Sequence, residues 1–278
     1  MDTTTSSSFT TNPMWFGARP ILHISRELEW GFLVLVVVLA SAGLYYAIRL
    51  VRKESRLNPI YILLGGTLAI FFEPLGDLMA HVTYHEEQMN AVMAYGFKVP
   101  LWMVPAYTIA VGVPTIWLID RIRSGITLQS WMTTYLLCVI GAMGFELPLI
   151  YLGAIEYYAP QPFAVFGYPV WMAFTNAAGL FFGPATILYL LTEHRVIGRG
   201  DSWLLVPLTA MTAAGCHVAS GFAHGYSMNV GTHSSTLINA ISLVSIALAL
   251  LLVWVCGKVV CADSPVMAVR GATLSSRT

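Results

Sequence analysis

Residues 71–112 read FFEPLGDLMAHVTYHEEQMNAVMAYGFKVPLWMVPAYTIAVG, and residues 145–179 repeat the stretch in diluted form as FELPLIYLGAIEYYAPQPFAVFGYPVWMAFTNAAG. Glu73 matches Glu146, Tyr84 matches Tyr157, Gly96 matches Gly167, Pro100 matches Pro169 and Trp102 matches Trp171. The offset falls from 73 residues at the glutamates to 69 at the tryptophans, so the second loop is four residues shorter. Each copy is the end of one apolar run, a polar loop and the start of the next run. A unit of two runs returns the chain to the side it came from, so successive copies insert the same way up, as parallel repeats.

Working outward, the rest of the chain is equally apolar. It has 278 residues, 57% apolar and 10% charged, with a mean hydropathy of +0.71. Soluble domains average about 45–50% apolar and about 25% charged, so a water-covered globular domain is excluded. Runs of about 20 apolar residues suffice to cross a hydrocarbon core of about 30 Å. Seven occur, at Trp30–Leu50, Pro59–Val82, Val99–Ile119, Trp131–Ile155, Pro169–Leu191, Trp203–Phe222 and Leu237–Val260. The expected fold is an all-α, polytopic helical bundle: one lone helix followed by three related hairpins in residues 30–260. The third hairpin matches only faintly, with His217 near the place of the glutamates. Residues 1–29 form a Ser/Thr-rich tail, too polar at its start for a signal peptide, with an interfacial piece around Trp15–Ile24. Residues 261–278 form a second tail.

Net charge is zero and the isoelectric point is near 7, which removes the electrostatic case for nucleic acid. Cys138, Cys216, Cys256 and Cys261 form no C-x-x-C pair and suggest neither zinc nor a disulfide framework. Basic residues fall in alternate links: Arg49, Arg52, Lys53 and Arg56; then Arg121 and Arg123; then Arg195 and Arg199; with Lys258 closing the last run. The opposite links hold Glu86, Glu87, Glu156 and, at an edge, Lys98. The positive-inside rule then puts the N-terminus outside and the C-terminus in the cytoplasm, against weak opposition from Arg19 and Arg26.

Ionisable residues inside such runs are costly and mark function by default. Glu73, Asp77 and His81 follow one another at four-residue steps, with His85 beyond; each step turns a helix about 400°, so the row stays on one face. Glu146 and His217 fall in the second half of other outward-running spans, with His224 seven residues on from His217 on the same face, while Tyr107 and Asn176 fall early in inward-running ones. All therefore lie at one depth, in the outer half, and are expected to share one cavity. Plainer roles remain open. His81 and His85 suit interfacial positions facing water, His224 and Glu156 suit the rim, and Asn176 suits a helix-to-helix hydrogen bond. Trp102, Trp171, Tyr95 and Phe166 suit an interfacial aromatic belt.

A carboxyl in a poorly hydrated pocket must be paired or protonated, and a protonated one is a general acid. On this reading Glu73 is the acid, Asp77 its proton partner, and Glu146 and His217 the base or cation-stabilising wall. His81, Tyr84, Trp102, Tyr107, Trp171, Asn176 and His224 complete the substrate-binding set. No cofactor and no metal is expected: the histidines are too few and too poorly spaced for a di-iron site. Lys258 sits too near its span end for a retinal Schiff base, and Ser220 with His217 or His224 is a weak protease pair. The expected activity is acid-catalysed cyclisation or dehydration of a hydrophobic small molecule, a natural-product precursor, either spiroketal-forming or terpenoid, in a cavity open toward the outer side or to the outer leaflet of the lipid bilayer. A proton-coupled transporter or lipid-handling membrane protein is the contrasting class, since buried carboxyls also serve proton relays.

The EPLGD run, the AYGFKVPLW entering the third span and the ELPLIYLGAIEYYAPQPF of the fourth resemble the spirocyclase AveC family of multi-pass membrane proteins. The resemblance covers about Asn58 to Leu191. It implies spiroketal formation, in which a dihydroxy ketone loses water and closes two rings at one carbon. It would also place Glu73 and Asp77 at the EP-x-x-D acids and Glu146 at a second acidic motif.

Overall fold

In a bilayer every backbone polar group needs an internal partner, so apolar runs of this length fold as helices. The computed structural model describes residues 19–86, 89–159, 161–229 and 234–262. Among them are seven helices long and apolar enough to cross a membrane: α1 (Arg26–Glu54), α2 (Asn58–Ala80), α3 (Met103–Arg123), α4 (Leu128–Tyr151), α5 (Val170–Glu193), α6 (Ser202–Asn229) and α7 (Ser235–Ala262). These are the seven expected spans with their ends shifted by a few residues. The chain is a multi-pass membrane protein built as a helical bundle. Glu87, the chain beyond Ala262 and the first four residues of the expected piece at Trp15–Ile24 lie outside the described residues, and the rest of that piece, 19–24, has no regular secondary structure.

Short ribbons at one end of the bundle were not anticipated from the sequence. β2 (Asn90–Ala94) pairs with β3 (Phe97–Pro100), and β5 (Ala164–Val165) with β6 (Tyr168–Pro169). Both turn through an aromatic–glycine pair with positive φ: Tyr95 and Gly96 at 53° and 79°, Phe166 and Gly167 at 50° and 83°. A two-residue turn with both φ positive matches the twist of the strands it joins. Each aromatic therefore stands exposed at a ribbon tip, while Trp102 and Trp171 are buried rather than belted at the interface. A third ribbon joins the two copies, β1 (Val82–Tyr84) running antiparallel to β4 (Ile155–Tyr157). We call this the ribbon end.

At the opposite end Arg123 bridges Glu54 at 2.8 Å and Glu193 at 2.7 Å, and Lys53 lies 3.2 Å from Asp120. Between the two ends α6 runs through the bundle against α2, α5 and α7, while α3 packs on α1, α2 and α5. Helix α4 docks on α5 and α7 through one face. Trp131 donates to the Val253 carbonyl at 2.9 Å, and Tyr135 to the Phe174 carbonyl at 3.0 Å.

The repeat extends into the helices. α3 widens into a π turn at Thr108–Gly112 and α5 at Ala177–Phe182, shortly before Pro114 and Pro184. A proline cannot donate to the ladder, and a wide turn absorbs the missing bond. The third pair, α6 and α7, carries neither a ribbon among the described residues nor an equivalent of the glutamates.

Candidate functional site

The row expected on α2 is cut short. Pro74 opens its last segment, which ends at Ala80, and His81 caps it in the left-handed region at φ 52°. The chain then turns into β1, so Glu73 and Asp77 stay on the helix while His81 leaves their face. The His81 ring lies 5.3 Å from that of Tyr158, and its Nε2 is 3.3 Å from Asn229 Oδ1.

Each glutamate is held in the same way. The Tyr84 hydroxyl, from β1, and the Tyr107 hydroxyl, from α3, donate to the two oxygens of Glu73. The Tyr157 hydroxyl, from β4, donates to Glu146, and so does Asn176 Nδ2, from α5, at 2.9 Å. Tyr157 is the repeat counterpart of Tyr84, and Asn176 stands 69 residues after Tyr107, the offset found for the tryptophans. Glu146 has one further donor, Tyr168 at 3.3 Å. Burial pushes the phenols of Tyr84, Tyr157 and Tyr168 well above the usual tyrosine range, which keeps all three as donors.

His217 enters from α6. Its Nε2 is 2.9 Å from Asn176 Oδ1, so Asn176 links His217 to Glu146. Close helix approach makes this possible: a Cβ at Gly179 would lie 2.3 Å from the His217 Cα. Asp77 differs from both glutamates. It is 1% exposed, and neither carboxyl oxygen has a hydrogen-bond partner among the described residues.

These groups share one cavity of about 580 Å³ between α2, α3, α4, α5 and α6, within the range of small-molecule sites. Glu73, Asp77, Tyr84, Trp102, Tyr107, Glu146, Asn176 and His217 all line it, together with Tyr157. The other expected binding residues lie elsewhere. His81 is on the Tyr158 and Asn229 side, and the rings of Trp171 and His224 pack 4.1 Å apart behind the wall. His224 is fully buried rather than at a rim, and so is His85, whose Nε2 accepts from Trp102 Nε1 at 3.2 Å. Sequence reasoning missed Tyr157 and Tyr168 as site residues, although the match of Tyr157 to Tyr84 was the signal for the first.

The cavity is polar at one end only. β1 and β4 roof it with Val82, Tyr84, Ile155 and Tyr157, next to the three carboxyls. From there it runs between α3 and α4 as far as Trp117 and Thr134. Along α4, Glu146 and Thr134 are twelve residues apart, about 18 Å at the helical rise. No lysine or arginine is found among the described residues that line it. Among the described residues, no three of His, Cys, Asp or Glu gather closely enough to hold a metal ion. In comparisons with family models, with curated proteins and with solved structures, nothing matches the chain.

Proposed function

We propose that this protein is a membrane-embedded acid–base catalyst that cyclises or dehydrates a neutral lipophilic substrate. The observation that carries the reading is the company of Asp77: a buried carboxyl with no hydrogen-bond partner among the described residues, at the polar end of a largely apolar cavity, beside two glutamates that already accept two and three hydrogen bonds. The expectation drawn from sequence had Glu73 as the acid. The hydrogen bonds favour the reverse assignment, because Glu73 accepts phenolic hydrogens on both oxygens and is arranged as an acceptor.

Asp77 then gives its proton to a carbonyl, hydroxyl or epoxide oxygen of the substrate, or to an alkene carbon. A hydroxyl oxygen or an alkene of the same molecule closes on the activated carbon. The proton released leaves to a carboxylate, with Glu146 placed to take it and Asn176 and His217 positioning that glutamate. The sum is an isomerisation, or a cyclisation with loss of one water. Trp102 and Phe72 supply aromatic faces able to steady a developing cation. Spiroketal closure and terpenoid cyclisation are both versions of this chemistry. The ribbon end would face outward, with the N-terminus outside, from the distribution of Lys and Arg. The gathering of the cavity's ionisable groups at that end supports an enzyme over a proton path across the bilayer.

The test is a comparison of lipid extracts from cells expressing the wild-type chain and Asp77→Asn, by untargeted mass spectrometry. Wild type should convert a precursor into an isomer or into a species lighter by one water, and Asp77→Asn should accumulate the precursor. Identical extracts from two well-expressed proteins would overturn the reading. In D2O a cyclisation begun by protonating an alkene leaves deuterium on carbon, which sets it apart from spiroketal closure and from cyclisation begun at an epoxide oxygen.

A further inference from the structure

We infer that the cavity is reached sideways, from the hydrocarbon of the bilayer, through a gap between α3 and α4. The occupant is an elongated neutral lipid whose oxygen function reaches the carboxyls last. This builds on the reading of the cavity as the substrate site and adds the route and the shape of the molecule.

Residues 124–127 join α3 to α4, yet these two antiparallel neighbours scarcely touch. The reason lies in how α4 docks. Trp131, Tyr135 and Val139, at four-residue steps, are its buried stripe, and they point at α5 and α7. Gly257 of α7 leaves the space that the Trp131 ring fills, since a Cβ there would lie 2.5 Å from it. Anchored in this way, α4 leans off α3, and the space between them is the cavity.

Exposure locates the opening. Of the residues that line the cavity, those exposed are Trp117 on α3 and Leu137, Gly141 and Phe145 on α4. Every other lining residue is buried or half-buried, including those of the roof. Leu137 is 63% exposed and Phe145 40%, in the middle of a helix that crosses the membrane. Lipid tails are what touches such residues there. The ribbon end is roofed, so a water-borne ligand has no comparable way in.

The lining also sets the chemistry of the occupant. About 18 Å of largely apolar wall leads to three carboxyls, with no lysine or arginine among the described lining residues. An anionic headgroup would be repelled at the far end and unpaired along the way. A long-chain molecule with a hydroxyl, ketone or ether oxygen meets neither cost.

The experiment reads occupancy rather than turnover, so a non-enzymatic binding protein would still pass it and a failed assay of activity would not count against it. The full chain is reconstituted in phosphatidylcholine vesicles with hexadecanol bearing a photoreactive diazirine on its chain. After irradiation, adducts are mapped by peptide mass spectrometry. Adducts are expected on Met103 and Met172, which line the cavity at 8% and 5% exposure, as well as on lipid-facing residues such as Val38. Gly141→Trp, and separately Leu137→Trp, should cut the adducts at Met103 and Met172 about tenfold and leave those at Val38 unchanged. Two variants guard against one that does not fold, and an unfolding temperature equal to that of wild type reports the fold in each, while unchanged labelling of Val38 reports equal access to probe in the bilayer. Adducts confined to lipid-facing residues would overturn the inference. So would adducts at Met103 and Met172 that neither variant reduces, because the molecule would then arrive by another route.

Discussion

Thr83 lies opposite Glu156 in the ribbon formed by β1 and β4, and under the 73-residue offset of the repeat the two are the same position. An antiparallel pair centred on equivalent residues is what a two-fold axis through that point produces. The axis brings Tyr84 down on Glu73 and Tyr157 down on Glu146, each eleven residues after its glutamate. The two glutamates of the cavity are thus one device used twice, and only the second is extended, by Tyr168 and His217.

Because Glu146 keeps two donors when Tyr157 is lost and Glu73 keeps one when Tyr84 is lost, the two phenylalanine variants should differ. Tyr84→Phe is expected to destabilise by about 1–3 kcal/mol, the cost of a buried acceptor losing a partner. Tyr157→Phe should fall at the low end of that range. Thermal unfolding in one detergent, followed by intrinsic fluorescence, checks the order. Equal losses would mean that Tyr168 and Asn176 do not support Glu146.

Asp77→Asn and Glu73→Gln separate the acid from the acceptor. Asp77 has no hydrogen-bond partner to lose among the described residues, so Asp77→Asn should keep the unfolding temperature of wild type while product formation falls at least a hundredfold, the contribution of a general acid being about 100- to 10,000-fold. Glu73→Gln sets an amide against a phenol and should lower stability and activity together. If Asp77→Asn destabilises while Glu73→Gln alone loses only activity, the roles revert to those expected from the sequence.

Much of this arrangement was legible before the fold. The spans, the repeat and the convergence of Glu73, Asp77, Tyr107, Glu146, Asn176 and His217 all follow from helical period and insertion direction. What was not legible came from breaks in that period. His81 and His224 continue a helical row by spacing, but α2 ends at Ala80 and the His224 face of α6 turns to Trp171 instead of the cavity. Sequence also treats every neighbouring pair of spans alike. The lean of α4 away from α3 depends on Trp131 meeting Gly257, residues 126 positions apart.

Acid should weaken the ribbon end through His85. Burial pushes its pKa down to about 4 from the ordinary value near 6.5, and the neutral ring accepts from Trp102. A group whose pKa is depressed by folding contributes its stability above the unfolded value and loses it as pH falls toward the folded one. The unfolding temperature should therefore drop between about pH 6.5 and pH 4. His85→Gln keeps an acceptor for Trp102 and does not titrate, so part of that drop should disappear. An unaltered pH profile in His85→Gln would remove His85 as its cause.

Charge selectivity follows from the absence of lysine and arginine among the described residues of the cavity wall. Hexadecanol should compete with its photoreactive analogue for the Met103 and Met172 adducts, and hexadecyl phosphate at the same mole fraction should not. The measurement is the ratio of adducts with each competitor. Equal competition would show that the headgroup stays outside the cavity and that the chain alone is recognised.

Glycines divide into those that hold the site together and those that border its opening. Gly179→Ala forces a Cβ to within 2.3 Å of the His217 Cα, and no side chain can rotate to relieve it. Overpacking of this kind costs about 1–3 kcal/mol, and moving α6 would also pull His217 from Asn176. Gly141 and Gly144 on α4 meet nothing within 4 Å, although both belong to the same span as Glu146. Gly144→Ala should then match wild type in unfolding temperature and product formation, while Gly179→Ala loses both. If Gly179→Ala kept full activity, His217 and its bond to Asn176 would have no part in the reaction, and Glu146 would be held by its tyrosines and Asn176 alone.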